Sequence, residues 1–171
     1  AAGVLRDFAD VLAVPIPELT PMFGFPQHNP HHDKDVWDHT IAVIESITPE
    51  PVLRWAALLH DIGKRFIDHD IVRGGKAHRS EEEQEVYRSH PKIGAEYLRE
   101  TCRFSADVYE GIMEHHECYN GEGYPLGKKG AEIHLFARII RIADCYDAKV
   151  SEFPAQKSLS PSEALEYVMA L

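Results

Sequence analysis

Apolar positions recur every three to four residues along most of the chain, and no stretch alternates one-in-two for long enough to define a strand. Val4, Leu5, Phe8, Val11 and Leu12 give helical spacing over Gly3 to Ala13, closed by Pro15 and Pro17. Thr20 to Asp33 holds three prolines and a glycine and reads as a loop. From Lys34 to Ile47, Trp37, Ile41 and Ile44 fall on one stripe, the signature of an amphipathic helix. Pro51 opens "PVLRWAALLHDIGK", a mostly apolar helix expected to sit in the core and to stop near Gly63. Phe66 to Arg79 reads as a loop. Ser80 and Glu83 then form a capping box for a helix that Pro91 breaks or kinks, and another helix follows from Lys92 to about Thr101. Ser105 is placed to cap a helix carrying Val108, Ile112 and Met113 that runs into His115 and His116, where glycines end it. Ile133 to about Val150 is a long helix with Leu135, Ile139, Ile142 and Tyr146 expected inward, and Ser160, Pro161 and Glu163 open the last helix. The expectation is an all-α fold, one domain over residues 1–171 with its core in 34–150.

Composition narrows the classes. Apolar residues make up 44% and charged residues 27%, and no apolar run approaches the roughly 20 residues of a membrane helix, so the default location is the cytoplasm. A formal charge of −10 argues against a broad surface for duplex nucleic acid. Cys102, Cys118 and Cys145 are far apart and show no CxxC spacing, which points to reduced thiols. The eleven histidines change the picture most, because imidazole is the commonest side-chain metal ligand and titrates near neutrality.

Those histidines fall in informative places. Asp35 and His39 stand at i and i+4 on one helix face. His60 and Asp61 follow an aliphatic run that drags them inside, where a charge needs a partner. Lys64 comes one helical turn later, pointing at the same pocket as a cation for phosphate oxygens. His90 precedes Pro91, His115 and His116 end a helix, and Asp144 and Asp147 lie at i and i+3 within "RIIRIADCYDAKV". The candidate ligands are therefore His39, His60, Asp61, His90, His115, His116 and Asp144, with Asp35 as an eighth. That is too many for one ion with an open site. It suits two divalent ions sharing a bridging carboxylate, or a third beside them, with iron or manganese favoured by the mixed N and O donors and zinc, nickel or magnesium also compatible.

This ordered set resembles the HD superfamily of metal-dependent phosphohydrolases, an all-α helical-bundle fold whose pattern is a His, a later His-Asp pair and a final Asp. Within it, "HDIGK" at His60, "HPKIGAEYL" at His90, "HHECYNGEGYP" at His115 and "RIADCYDA" through Asp144 are similar to the blocks of the HD-GYP branch, which hydrolyses cyclic dinucleotides. The resemblance spans about Asp35 to Ala164. It implies that His115 and His116 ligate a second metal and that the GYP loop folds over the site with Tyr124 beside the substrate. Glu117 is expected to orient a ligand or serve the helix end.

Two departures stand out. Where that branch usually carries "RPYRKALS", whose cations grip substrate phosphates, this chain has "FPAQKSLS", with Phe153 and Gln156 at cation positions and Lys157 remaining as a candidate substrate contact. Cyclic di-GMP hydrolysis is accordingly expected to be weak. "QHNPHHDKDVWDHT" is similar instead to the HD domain of CCA-adding tRNA nucleotidyltransferases, bringing His28, His31 and His32 near the entrance. The expected activity is hydrolysis of a phosphodiester or phosphate ester in a nucleotide or cyclic dinucleotide. Asp61 would bridge two metals that acidify a water, and Lys64 would neutralise charge developing on the phosphoryl oxygens. The alternatives are a 2′,3′-cyclic phosphodiesterase or phosphatase like the CCA-adding enzymes' domain, or a nucleotide-sensing module that does not turn over.

Overall fold

The computed structural model describes residues 9, 17–23, 36–73, 79–150 and 159–169. Helix α1, Val36–Ser46, buries Trp37, Ile41 and Ile44, the stripe read from the sequence. Pro51 opens α2, Pro51–Leu59, and the Glu50 side chain caps it by accepting from the Leu53 amide. Helix α2 buries Leu53, Ala56, Ala57, Leu58 and Leu59, consistent with its place in the core.

It ends earlier than expected. His60 and Asp61 form a turn, and Ile62–Phe66 continues as a 3₁₀ helix rather than the last turn of α2. A Cβ on Gly63 would lie 2.0 Å from the His90 carbonyl oxygen, so this segment's backbone rests directly on the next part of the site. A second correction falls in the Phe66–Arg79 stretch, where α3, His69–Arg73, forms within the expected loop. A third falls at Thr20, which lies in a 3₁₀ turn, Pro17–Met22, that packs on Ile62–Phe66 and buries Leu19 and Met22. Of the predicted Gly3–Ala13 helix, Ala9 is described and is helical.

Ser80 and Glu83 make the predicted capping box at α4, Glu81–Arg88. Pro91 does not so much break a helix as begin one: α5 is His90–Thr101, with Pro91 in its first turn, where a missing N–H costs nothing. Helix α6, Ala106–Glu114, starts after Ser105, although the Ser105 side chain makes no capping bond. It packs on α2, α5 and the long helix α7, Leu135–Val150, and α8, Pro161–Met169, lies on α7. Ser160 and Glu163 box the start of α8 as the sequence suggested. Among the described residues there is no strand, and no helix is long and apolar enough to cross a membrane.

The buried face of α7 is the main surprise. Leu135 and Ile142 are each 54% exposed, while Ala137, Ile140, Ala143, Asp144, Cys145 and Asp147 are buried. The helix turns its small residues toward α6 and α1, which brings its backbone close enough for two aspartates to reach the interior. Of the expected stripe, Leu135 and Ile142 face outward, while Ile139 and Tyr146 are half-buried and Ile139 packs against the core.

Candidate metal centre and substrate cleft

Three histidines are oriented by one device. The last carbonyls of a helix lack intrahelical donors. In the last turns of α2, α4 and α6, the carbonyls of Ala57, Tyr87 and Ile112 each face the Nδ1 of the histidine three residues on, His60, His90 and His115, at 2.7 Å. A carbonyl only accepts, so Nδ1 must be the donor. In its neutral form each ring therefore presents a bare Nε2, and all three rings are fully buried.

Those bare nitrogens converge. His90 Nε2 lies 3.3 Å from His115 Nε2 and 3.3 Å from Asp61 Oδ1, and His115 Nε2 is 3.7 Å from the same oxygen. Lone pairs at those distances repel unless a cation sits among them. Among the described residues, His60 Nε2, His116 Nε2 and Asp61 Oδ1 are buried without a hydrogen-bond partner, which is expensive for polar atoms in the interior. Burial holds the His60 and His90 rings down at about 4, against the pull of Asp61, so both are neutral and ready to bind a metal at pH 7. Burial also pushes His116 well below its ordinary value, with His115 adding to it.

Two donor groups form, each with its atoms within 4.8 Å of one another: Asp61, His90, His115 and His116 in one, and His39, His60 and Asp61 in the other. Asp61 belongs to both. Its carboxyl is held well below the carboxylate range: burial would raise it, but Lys64 beside it and the surrounding imidazoles prevail. Lys64 is itself 4% exposed and donates to Asp61 Oδ2 at 2.6 Å. Its ammonium stays charged because the carboxylate overrides burial.

His39 is held differently. Asp147 Oδ2 lies 3.0 Å from its Nδ1, and Asp144 Oδ1 lies 3.1 Å from its Nε2. Burial lowers its pKa, yet the two carboxylates together raise it to about 9, making His39 a cation between two anions. A metal ion at Nε2 and Asp144 would take the place of that proton, leaving Nδ1–H on Asp147 in the carboxylate–histidine arrangement common around metals. Asp147 was visible in the sequence as the i+3 partner of Asp144. Its hold on His39 was not, because that contact spans 108 residues.

Glu117 points away from the donor groups. Its buried carboxylate accepts the amides of Leu126 at 2.6 Å, Gly127 at 3.2 Å and Lys128 at 3.0 Å. It pins the loop that follows the histidines. That loop passes so near its own start that a Cβ on Gly123 would meet the Cys118 nitrogen at 2.2 Å. Tyr124 thereby stacks on His116, ring centroids 4.7 Å apart at 24°. Glu114, buried below, ties Lys128 and the His134 amide to the end of α6.

A family model described as "HD domain" matches residues 39–170. The chain belongs to the HD domain family. Members of this family are metal-dependent, which accords with the two donor groups. Curated relatives include a cyclic di-GMP phosphodiesterase response regulator of Xanthomonas campestris, 39% identical over 121 residues, covering 70% of this chain and 32% of that protein. A cyclic di-GMP phosphodiesterase of Pseudomonas aeruginosa is 37% identical over 121 residues, covering 68% of this chain and 29% of the other. A 3′3′-cGAMP-specific phosphodiesterase of Vibrio cholerae is 37% identical over 114 residues, covering 66% and 24% respectively. The chain thus spans about a third or less of the length of these relatives. The fold is similar to that of solved structures of a Bdellovibrio bacteriovorus HDG"Y"P protein, TM-score 0.54 at 22% identity over 77% of this chain and 43% of that one, and of a Vibrio cholerae cyclic GMP-AMP phosphodiesterase, TM-score 0.58 at 23% identity over 90% and 43%.

Of the residues singled out from sequence in this HD domain, His39, His60, Asp61, His90, His115, His116 and Asp144 come together, with Lys64 on Asp61 and Tyr124 on His116. Asp35, Lys157, Phe153, Gln156 and the entrance histidines 28, 31 and 32 lie outside the described residues.

Proposed function

We propose that this chain is the hydrolytic domain of a cyclic-dinucleotide phosphodiesterase that uses two divalent cations, iron or manganese by its donors. The observation that carries the proposal is the pair of donor groups sharing Asp61, lined by imidazoles whose tautomers the backbone has already fixed. His60, His39, Asp144 and Asp61 would hold one ion, and His90, His115, His116 and Asp61 the other. Mixed nitrogen and oxygen donors of this kind suit iron and manganese. When bound, the cations supply an acidified water as nucleophile and a Lewis acid for the phosphoryl oxygens.

The chain's own groups do the positioning. Backbone carbonyls aim three rings, so little reorganisation is needed on binding. Lys64 keeps Asp61 ionised and, lining the adjoining cleft, faces the place where a phosphoryl oxygen gains charge. Tyr124 forms the wall over His116 and presents a flat surface to a base or ribose. The relatives named as cyclic di-GMP and cGAMP phosphodiesterases support this substrate class, and the free thiols Cys102, Cys118 and Cys145 fit a reducing, cytoplasmic location. The reading takes residues 1–171 as one domain centred on 34–150.

The test is hydrolysis of cyclic di-GMP and of bis-p-nitrophenyl phosphate under manganese or anaerobic iron, with metal content measured on the same preparation. Turnover of both with about two metals per chain is expected. A fully metal-loaded protein that turns over neither would overturn the reading.

A further inference from the structure

The cleft beside the donor groups is far more basic than the chain around it. In a protein of formal charge −10, Lys64, Arg79, Arg88, Arg141 and Lys149 all line one cleft of about 280 Å³, and Asp144 is the single carboxylate among the described residues that line it. Such a focus of one sign in a concave site favours an anionic ligand.

Three of these cations already have partners. Lys64 holds Asp61. Arg141 faces Asp144 at 3.7 Å and His116 Nδ1 at 3.4 Å. Arg79 donates to the carbonyls of Ile71 and Val72 at 2.6 and 3.0 Å while its guanidinium lies 3.6 Å from the centre of the Tyr87 ring. Arg88 and Lys149 differ: neither meets a carboxylate among the described residues. Each lies against a tyrosine instead, Arg88 at 5.6 Å from the Tyr124 ring centre and Lys149 at 4.2 Å from that of Tyr167. They project from α4 and α7, two different walls of the cleft.

A cyclic dinucleotide carries two phosphates, and only one can occupy the donor groups at a time. The other must rest on the cleft wall. Segment 151–158, in which several cations are expected from the sequence resemblance, has Phe153 and Gln156 at two of those positions and keeps Lys157. Building on the phosphodiesterase reading, we propose that Arg88 and Lys149 anchor the second, non-reacting phosphate of a cyclic dinucleotide, with Tyr124 and Tyr167 as the flat surfaces for its sugar-base units. An arginine offers a fork to phosphate oxygens and a lysine a point charge, and a ring beneath each keeps the side chain in place without neutralising it. A small diester has no second phosphate, so the two residues set selectivity rather than chemistry.

Arg88→Ala and Lys149→Ala, both at solvent-accessible positions, test this on cyclic di-GMP and bis-p-nitrophenyl phosphate in parallel. Each variant is expected to lower kcat/KM for cyclic di-GMP about tenfold or more, mostly through KM, as loss of a charge-assisted phosphate contact does. The fall on bis-p-nitrophenyl phosphate should be at least ten times smaller, and Arg88→Lys should recover part of the loss. Equal falls on both substrates would overturn the anchor while leaving the phosphodiesterase reading in place. Should the metal-loaded wild type turn over neither substrate, that reading fails, and binding of a hydrolysis-resistant bis-phosphorothioate cyclic di-GMP still decides the anchor. Tight binding weakened tenfold in each variant supports it, whereas absent binding or an unchanged Kd overturns it.

Discussion

The floor of the site and the wall above it are held by opposite means. On the floor, His60, His90 and His115 are each fixed by a carbonyl three residues back, at a helix end that needs a donor anyway. Their orientation comes with the local chain. On the wall, Glu117 reaches nine to eleven residues ahead to pin three loop amides, and Arg79 reaches back to α3 carbonyls while covering Tyr87. The floor is thus built for one fixed arrangement of donors, and the wall depends on tertiary contacts that can be altered without touching them. The difference predicts that variants of the floor's metal donors lose metal and chemistry together, whereas wall variants lose substrate affinity first.

The largest effect should come from Asp61→Asn. It removes the one carboxylate common to both donor groups, so metal content should fall and hydrolysis drop by about 1,000-fold or more. Metal analysis beside a bis-p-nitrophenyl phosphate assay reads both, and retention of two metals at an ordinary rate would show that Asp61 does not join the groups.

Lys64→Met probes the floor from the other side. Taking one partner from a buried ion pair costs about 3–5 kcal/mol, because the remaining charge is stranded. With metal present, cations take over as partners of Asp61, and the cost should shrink. Chemical denaturation with and without chelator measures this. An equal loss of stability in both conditions would mean that Asp61 does not rely on metal for its second partner. Rate should also fall about 100-fold in the loaded variant, for want of one charge facing the phosphoryl group.

Glu117→Gln separates wall from floor. A neutral amide cannot satisfy three amides as a carboxylate does, and a stability loss of about 1–3 kcal/mol is expected together with a KM raised about tenfold at unchanged metal content. Hydrogen exchange at residues 126–128 should speed up. If metals left with Glu117, the loop and the floor would be one unit and the contrast between them would fail.

The same contrast explains what the sequence disclosed. The floor was legible because its residues sit at helix ends after aliphatic runs: "LLHD" must go inside and must then be satisfied, and "HH" ends α6 where its glycine-rich loop begins. The wall was legible only at Tyr124, through the family resemblance, since nothing in "HHECYNGEGYP" says that Glu117 bonds forward to Leu126 rather than back toward a metal, and nothing near Arg88 marks it as the wall of a cleft. Asp147 fell between the two, visible as a buried acid on a helix but readable as the partner of His39 only once α1 and α7 pack together. Lys64 was expected to face substrate alone. It is first the partner of Asp61, because the helix ends at Leu59 and the 3₁₀ turn folds its chain back over the carboxylate.

The smallest effect expected concerns α7, where hydrophobicity misled. Size and apolarity put Leu135, Ile139, Ile142 and Tyr146 on the inner stripe; Ile139 packs on the core, but Leu135 and Ile142 face solvent while the helix buries Ala137, Ile140 and Ala143, and Asp144 and Asp147 reach His39. An isoleucine at the helix surface leaves its stabilisation largely unused. Ile142, 54% exposed, should tolerate alanine at a cost within about 0.5 kcal/mol, whereas Ile140, 0% exposed, should lose about 2–5 kcal/mol on the same change through lost burial and a residual cavity. Urea unfolding of the two variants under chelator, where metal cannot mask the difference, makes the comparison direct. Equal losses would mean that α7 is rotated from the orientation that brings its aspartates to His39, and the floor itself would have to be rebuilt around a different pair of carboxylates.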